Sequence, residues 1–211
     1  MSEAREVVLA RIRKALGEPP PDGVRVPRAY RRAGVLARDE VVNLFVERVE
    51  EYGALVVETA DPARAAADVL AEARATRIVI AGDLPSELRP PGVELVEDTG
   101  LAAPALDAFD GALTTCAVAC AETGTIALDA GPGQGRRAIT LVPDLHVCIV
   151  GASQIVETVP ELFERLEPSA RAGRPIVLVS GPSATSDIEL RRVEGVHGPR
   201  RLVVVLVRLG V

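Results

Sequence analysis

Short, uninterrupted runs of valine, isoleucine and leucine recur along this chain and alternate with segments of helical periodicity. The clearest runs, 176–179 and 202–207, are far shorter than the roughly 20 residues that span a bilayer, so no membrane span is predicted. Strands that are apolar on both faces are typical of parallel sheets covered by helices. The pattern therefore predicts an open, mostly parallel α/β sheet, and 48% hydrophobic residues in 211 suffice for one substantial core.

The same periodicity, punctuated by turn residues, predicts the order of the elements. Asp61 is placed to cap a helix that opens with Pro62, and the apolar segment 112–120 is compatible with strand or helix. Helices are predicted over 39–52, 62–75 and 157–166, with weaker helical turns at 85–88, 102–108 and 137–142. Strands are predicted over 54–58, 77–81, 93–96, 125–129, 146–150, 175–180 and 201–207.

The first 37 residues differ from the rest of the chain. Apolar positions in 3–16 lie close to a helical stripe, which Gly17 and the prolines after it end. The stretch 17–37 is rich in proline and arginine and has no periodicity, which favours an extended arm. We therefore expect an N-terminal helix and arm over 1–37 and an α/β domain over 38–211.

Charge and composition exclude several classes of partner. A net charge of -6, with 30 acidic and 24 basic residues, provides no general attraction to phosphate backbones. Only 2% of the residues are aromatic and none is Trp, so stacking platforms for bases are absent and no nucleic-acid partner is expected. The N-terminal segment lacks the apolar run of a secretory signal, which favours a cytoplasmic location.

The three cysteines, Cys116, Cys120 and Cys148, do not suggest a disulfide framework in a chain of this length. Cys116 and Cys120 lie four residues apart, and no C-x-x-C pair exists to hold a metal or an iron–sulfur cluster. Buried free cysteine is the commoner outcome. We expect neither a metal nor a cofactor.

Four glycine-punctuated polar segments stand among the apolar runs of the second half of the chain: A-E-T-G-T (121–125), G-P-G-Q-G-R (131–136), S-G-P-S-A-T-S-D-I-E (180–189) and G-V-H-G-P-R (195–200). Glycine allows backbone to approach a ligand closely, and polar residues beside it supply hydrogen bonds and charge. The layout predicts one site built from several loops at the strand ends of a single sheet. The expected ligand-binding residues are Thr123, Gly124, Thr125, Gly131, Gly133, Gln134, Gly135, Arg136, Ser180, Gly181, Ser183, Thr185 and Arg200, and the candidate catalytic residues are Glu122, Asp187 and His197.

The segment G-P-G-Q-G-R is compatible with a nest of backbone N–H groups that binds an anion. Either Arg136 or Arg137 would pair with the carboxylate or phosphate of that anion. The segment lacks the Lys-Ser/Thr of a Walker loop and the glycine spacing of a dinucleotide fingerprint. A plain connection between a strand and a helix explains it equally well.

The segment S-G-P-S-A-T-S-D-I-E directly follows a predicted buried strand. Ligands of open α/β sheets collect at the carboxyl ends of strands, which favours a site there. Ser186 and Glu189 have the spacing of a capping box, so a well-capped helix without a ligand is the alternative.

Two ionisable residues have a plausible chemical role and an equally plausible structural one. Glu122 is a candidate base or nucleophile, or a carboxylate that caps a tight turn. His197, held between glycine-containing turns, is a candidate acid, base or anion contact, or a turn histidine. His146, at the start of a predicted strand, fits the structural role better.

Taken in order, the glycine segments, together with A-S-Q-I-V (152–156), resemble the lactate-utilization protein C family, also called the LUD domain. The resemblance runs from about Gly111 to the C-terminus. It implies a Rossmann-like fold of the ribose-5-phosphate isomerase and CoA-transferase type. It also implies a bacterial role in oxidising L-lactate to pyruvate beside iron–sulfur partner proteins.

The resemblance leaves two kinds of function open, and it does not decide whether the chain is an enzyme. The first is an accessory or subunit of a lactate-oxidising system that binds a small anion or a partner through the glycine loops. The second is a stand-alone enzyme on a phosphorylated sugar, a folate or a CoA thioester, with Glu122 as base or nucleophile and Arg136 holding the anion.

Overall fold

The computed structural model describes residues 3–17, 27–186, 192–194 and 198–208. The chain divides into two compact units, Met1–Arg31 and Arg32–Val211. In the first unit, helix α1 (Glu3–Leu16) confirms the predicted N-terminal helix. No helix in the described part of the chain is long and apolar enough to cross a bilayer.

The second unit alternates helices and strands in the predicted order. Its helices are α2 (Arg38–Glu51), α3 (Pro62–Glu72), α4 (Ala103–Leu106) and α5 (Val159–Arg171). Its strands are β1 (Leu55–Thr59), β2 (Arg77–Ile80), β3 (Glu94–Glu97), β4 (Gly111–Thr115), β5 (Val118–Cys120), β6 (Thr125–Leu128), β7 (Leu145–Gly151), β8 (Ile155–Val156), β9 (Val177–Val179), β10 (Ala184–Ser186), β11 (Arg192–Glu194) and β12 (Arg201–Val207). Short 3₁₀ turns lie at Ser86–Leu88, Arg137–Thr140 and Ala152–Gln154.

Six of the strands form an open, all-parallel sheet in the order β1-β12-β7-β4-β2-β3, which confirms the predicted fold class. Side chains alternate between its two faces, as the strand period of two requires. On one face Leu70 of α3 packs with Leu113, Val147 and Val205 in one apolar cluster. On the other face Phe45 of α2 packs in a second apolar cluster. That cluster contains the strand residues of opposite alternation, such as Val204, which precedes Val205.

A second sheet, in the order β8-β5-β6-β9, was not predicted. It packs on the α2 side of the parallel sheet, and Leu162 and Leu166 of α5 cover its outer face. The ambiguous segment 112–120 is two strands, and the chain crosses from one sheet to the other between them. The predicted strands 125–129 and 175–180 pair antiparallel in the second sheet, so they do not belong to the parallel one.

The start of α3 follows the local sequence signals. The Asp61 carboxylate accepts the Arg64 N–H at 3.0 Å and Pro62 opens α3, as predicted. Ser186 ends β10, which pairs antiparallel with β11, and the positions over which a helix capped by Ser186 would run, 187–191, lie outside the described residues. Its capping partner Glu189 lies outside the described residues.

Residues 32–37, part of the predicted arm, are held by hydrogen bonds to Glu157, which lies just before α5. The Glu157 carboxylate accepts the N–H groups of Val35 and Leu36 at 2.6 and 2.7 Å. A Cβ on Gly34 would lie 2.2 Å from a Glu157 oxygen, so only glycine fits at this approach. The division into an arm over 1–37 and an α/β domain over 38–211 stays a prediction.

Candidate functional site

A cavity of about 320 Å³ lies at the amino ends of β7 and β12, beside the loop that follows β9. We call it the amino-edge cavity. Four stretches of chain line it, and two of them include parts of glycine segments singled out in the sequence. The lining residues are Arg137, Thr140, Leu141, His146, Val177, Leu178, Val179, Ser180, Gly181, Pro182, Ser183, Gly198, Pro199 and Leu202.

A chain of hydroxyl groups joins the A-E-T-G-T turn to this cavity. Thr125 Oγ1 lies 2.7 Å from Ser180 Oγ and 2.7 Å from Thr123 Oγ1. Ser180 lines the cavity, whereas Thr125 is buried behind it. Two of the four predicted segments therefore meet here through side chains.

The G-P-R end of the fourth segment meets the same loop through the backbone. The Ser183 N–H donates to the Pro199 carbonyl at 2.8 Å. Gly181 has a φ of +89°, and a Cβ there would lie 2.5 Å from the Cβ of Tyr52. Glycine is required at Gly181 both for the turn and for its approach to the end of α2.

His146 lies at the base of the cavity and is buried. Its Nε2 shares a hydrogen bond of 2.8 Å with Thr114 Oγ1 on the neighbouring strand. Burial lowers the pKa of His146 to about 4, because desolvation disfavours the imidazolium. The ring is therefore neutral near pH 7 and offers one donor and one acceptor nitrogen. The sequence favoured a structural role for His146, and its burial and its bond to Thr114 agree with that role, while the residue also belongs to the lining of the cavity.

Arg137 supplies the positive charge of the cavity. It is exposed, and among the described residues its guanidinium forms no ion pair or hydrogen bond. The sequence left the choice between Arg136 and Arg137 open. Thr140 and Leu141, which follow Arg137 in the same turn, were missed because no sequence motif marks them.

Arg136 is engaged elsewhere in the fold. Its guanidinium donates to both carboxylate oxygens of Asp98 and to the Leu101 carbonyl. The Arg136 side chain holds the pKa of Asp98 below its usual value. Arg136 does not line the amino-edge cavity, whereas Arg137 does, and the expected role of Arg136 as the anion partner stays a prediction.

The G-P-G-Q-G-R loop lies at the opposite edge of the parallel sheet, above the carboxyl ends of β4 and β2. The Thr115 N–H donates to the Gly133 carbonyl at 3.0 Å, and the Gly133 N–H donates to Asp83 at 3.1 Å. Gln134 is fixed by Asp129, which it contacts through both its amide nitrogen and its oxygen. Gly131 and Gly135 pack closely on neighbouring side chains of the fold. The four segments therefore do not form one site at the strand ends of a single sheet, as the sequence suggested.

Glu122 lies in the turn before β6 and does not line the amino-edge cavity. Its N–H donates to the Glu157 carbonyl at 3.1 Å. Arg136 lies in the loop after β6, so the length of that strand, about 10 Å, stands between Glu122 and the loop that holds Arg136. Gly124 in the same turn has a φ of +56° and lies against the backbone of Arg48, where a Cβ would be 2.8 Å from a carbonyl carbon. A catalytic role for Glu122 stays a prediction.

The remaining predicted site residues are spread over other places. Asp187 and His197 lie outside the described residues. Thr185 is on β10. Arg200 lines a different cavity and forms an exposed ion pair with Asp144 at 3.3 Å.

The three cysteines are free and buried. A hydrogen bond with the Cys148 thiol, together with burial, raises the pKa of Cys116 well above its ordinary value. Desolvation likewise raises the pKa of Cys120. Within the described ranges, no group of histidine, cysteine or acidic side chains has the arrangement of a metal site.

Comparisons with known proteins agree with the motifs. A profile of the LUD domain matches residues 102–207. A Deinococcus radiodurans protein named lactate utilization protein C is 43% identical over 209 residues, covering 98% of this chain and 96% of that protein. A lactate utilization protein C of Halalkalibacterium halodurans is 36% identical over 91 residues, covering 41% of this chain and 39% of that protein.

The fold also resembles a solved structure. A crystal structure described as a DUF162 family protein from Deinococcus radiodurans superposes with a TM-score of 0.71 at 38% sequence identity. The match covers 82% of this chain and 99% of that chain. The similarity therefore extends from the sequence motifs to the arrangement of the strands.

Proposed function

This chain belongs to the LUD domain family, and we propose that it serves in lactate utilization by binding a small carboxylate in the amino-edge cavity. The names of its full-length relatives support the metabolic setting. One observation supports the site: Arg137, without an ionic partner among the described residues, stands at a cavity whose base holds a neutral histidine.

The chemistry of the cavity matches the parts of lactate. A planar guanidinium binds a carboxylate through two parallel hydrogen bonds. The neutral ring of His146 can accept from the hydroxyl of lactate or donate to the keto oxygen of pyruvate. Leu141, Val177 and Leu202 provide an apolar wall for the methyl group. The volume of about 320 Å³ lies at the lower end of ordinary ligand pockets, which favours a small molecule.

Oxidation of L-lactate to pyruvate releases two electrons and two protons, so an electron acceptor must take part. We assign that acceptor to the iron–sulfur partner proteins that the family resemblance implies. In this proposal the chain is an accessory or subunit that holds the carboxylate, and the system works in the cytoplasm. The proposal assigns no catalytic step to this chain.

The alternative of a stand-alone enzyme required Glu122 and Arg136 in one site. Glu122 lies in the turn before β6 and Arg136 in the loop after it, where Arg136 is paired with Asp98. The shared site that this alternative needs stays a prediction.

Arg136 and Arg137 provide a matched pair of variants for the test. Arg137→Ala is expected to weaken L-lactate and pyruvate binding about tenfold or more in calorimetric titration, because a charged hydrogen bond is lost. Arg136→Ala is expected to keep the affinity of the unsubstituted chain. If Arg137→Ala and Arg136→Ala bind L-lactate with equal affinity, the carboxylate does not bind in the amino-edge cavity.

Growth separates the binding claim from the metabolic one. A strain that lacks this protein is expected to fail on L-lactate as sole carbon source and to recover with the unsubstituted chain or with Arg136→Ala, but not with Arg137→Ala. Normal growth of the deletion strain would contradict the role in lactate utilization, whatever the binding data show.

A further inference from the structure

We propose a second ligand site at the opposite edge of the parallel sheet, where a cavity of about 620 Å³ fits an organic anion with an apolar body. We call it the carboxyl-edge cavity. Thr115, Gly151 and Val207 line it, and they stand at the carboxyl ends of β4, β7 and β12. This is the edge at which open α/β sheets bind their ligands.

The two cavities are separate sites. Strand β7 places His146 near its start at the amino-edge cavity and ends at the carboxyl-edge cavity with Gly151. Seven residues of a parallel strand span about 20 Å. The second cavity has about twice the volume of the first, at about 620 against about 320 Å³, so it admits a larger molecule.

One wall of the carboxyl-edge cavity is fixed by the buried carboxylate of Asp129. Asp129 accepts hydrogen bonds from the Gly131 N–H at 3.0 Å, from Gln134 Nε2 at 2.9 Å and from Ser169 Oγ. It also pairs with Arg174 at 2.7 Å. These contacts hold the glycine loop and the end of α5 in one arrangement, so little ordering is required when a ligand binds.

A second wall is fixed by Gln154. Its amide nitrogen donates to the Cys116 carbonyl at 2.6 Å, and its oxygen accepts the Gly151 N–H at 2.7 Å. Both ends of the side chain are therefore committed to the fold. Gln154 shapes the cavity between β4 and β7, and the charge for a ligand must come from elsewhere.

The charge comes from Arg165 on α5. Arg165 lines the cavity and is exposed, and within the described residues it forms no ion pair or hydrogen bond. Arg174, the other cation of the lining, is neutralised by Asp129. One uncommitted guanidinium therefore selects a ligand with a single acidic group, either a carboxylate or a phosphate.

The apolar part of the lining defines the rest of the ligand. Leu88, Ile149 and Val207, with Pro62 and Pro168, present hydrocarbon surface to the cavity. Burying the apolar body of a ligand against it is favourable in proportion to the apolar area removed from water. An anion with an aliphatic chain matches both parts of the site better than a compact polar anion such as lactate.

Three probes with one aliphatic chain test the site in calorimetric titrations of the full chain: hexanoate, hexyl phosphate and 1-hexanol. Arg165→Ala removes the proposed cation. Arg171→Ala is the matched control, because Arg171 lies on the same helix, is exposed and pairs with Glu167 at 2.7 Å without lining the cavity.

We expect hexanoate or hexyl phosphate to bind, and the stronger of the two identifies the acidic group. Arg165→Ala is expected to weaken that binding about tenfold, whereas Arg171→Ala leaves it unchanged. Binding of 1-hexanol as tight as that of the anions, unchanged affinity in Arg165→Ala, or no binding of either anion would each overturn the proposal. The L-lactate titration of Arg137→Ala reports on the amino-edge cavity alone, so the two claims fail independently.

Discussion

Thr114 Oγ1 lies 2.8 Å from Nε2 of His146, and both residues are buried side by side on neighbouring strands of the parallel sheet. The same hydroxyl lies 3.8 Å from the Cys148 thiol, which donates to the Thr115 carbonyl at 3.7 Å. His146 lines the amino-edge cavity and Thr115 the carboxyl-edge cavity. A continuous polar chain therefore runs through an otherwise apolar core and connects the two cavities.

The buried imidazole makes stability depend on pH in a defined direction. The pKa of His146 is about 4 in the folded chain, below its ordinary value of 6.5, so the unfolded chain binds the proton more tightly. The stabilisation is therefore complete above pH 6.5 and is lost as the pH falls towards 4, by roughly 3 kcal/mol. Urea unfolding between pH 7.5 and 4.5 measures this loss.

The matched variants are His146→Gln, which removes the titrating group, and His197→Gln, which removes the chain's other histidine. We expect the first to flatten the pH dependence above pH 4.5 and the second to retain it. Asp98, Asp110 and Glu161 have lowered pKa values, so their contributions are lost at a lower pH. An unchanged slope in His146→Gln would show that the ring is not the titrating group.

The secondary-structure elements that could be predicted are those that a signal within their own residues determines. The strand Arg201–Val207 was predicted with its observed bounds because it is a single apolar run, and α3 because Asp61 and Pro62 mark its start. The second sheet was not predicted, because a buried strand has the same pattern whichever sheet it joins. The contact between Thr125 and Ser180 joins residues 55 positions apart, which no spacing rule can anticipate. Arg136 and Arg137 show the same limit, since Arg136 pairs with Asp98 whereas the adjacent Arg137 has no ion-pair or hydrogen-bond partner among the described residues.

Arg136 is expected to contribute to stability and Arg137 is not. Arg136→Ala leaves the nearly buried Asp98 carboxylate without its cation, which should lower the free energy of unfolding by about 1–3 kcal/mol. Arg137→Ala removes no hydrogen bond or ion pair among the described residues and should stay within about 0.5 kcal/mol of the unsubstituted chain. Chemical denaturation of both variants at pH 7 makes the comparison. A larger loss in Arg137→Ala would mean that its side chain has a structural partner.

Gly124 is expected to be irreplaceable because two separate effects add there. A Cβ on Gly124 would lie 2.8 Å from the backbone of α2, and its φ of +56° is unfavourable for other residues. Gly53, with a φ of +83° and nothing within 4 Å of a Cβ, carries only the second effect. Gly53→Ala should cost about 1 kcal/mol and Gly124→Ala about 2–4 kcal/mol in thermal or chemical unfolding. If Gly53→Ala and Gly124→Ala lose the same free energy of unfolding, α2 shifts away from the added Cβ at Gly124 without an energetic cost.

Asp129 ties the glycine loop to α5, and its removal should affect stability and the carboxyl-edge cavity together. Asp129→Asn keeps the size of the side chain but removes the charge that pairs with Arg174, and its amide N–H₂ replaces an acceptor. We expect a loss of about 2–4 kcal/mol in the free energy of unfolding. Faster hydrogen exchange should be confined to residues 130–136 and the end of α5. L-Lactate binding at the amino-edge cavity should persist, because its lining does not include Asp129 or its partners. Loss of lactate binding in folded Asp129→Asn would show that the two edges of the sheet are coupled, with the buried polar chain from Thr115 to His146 as the connection to test next.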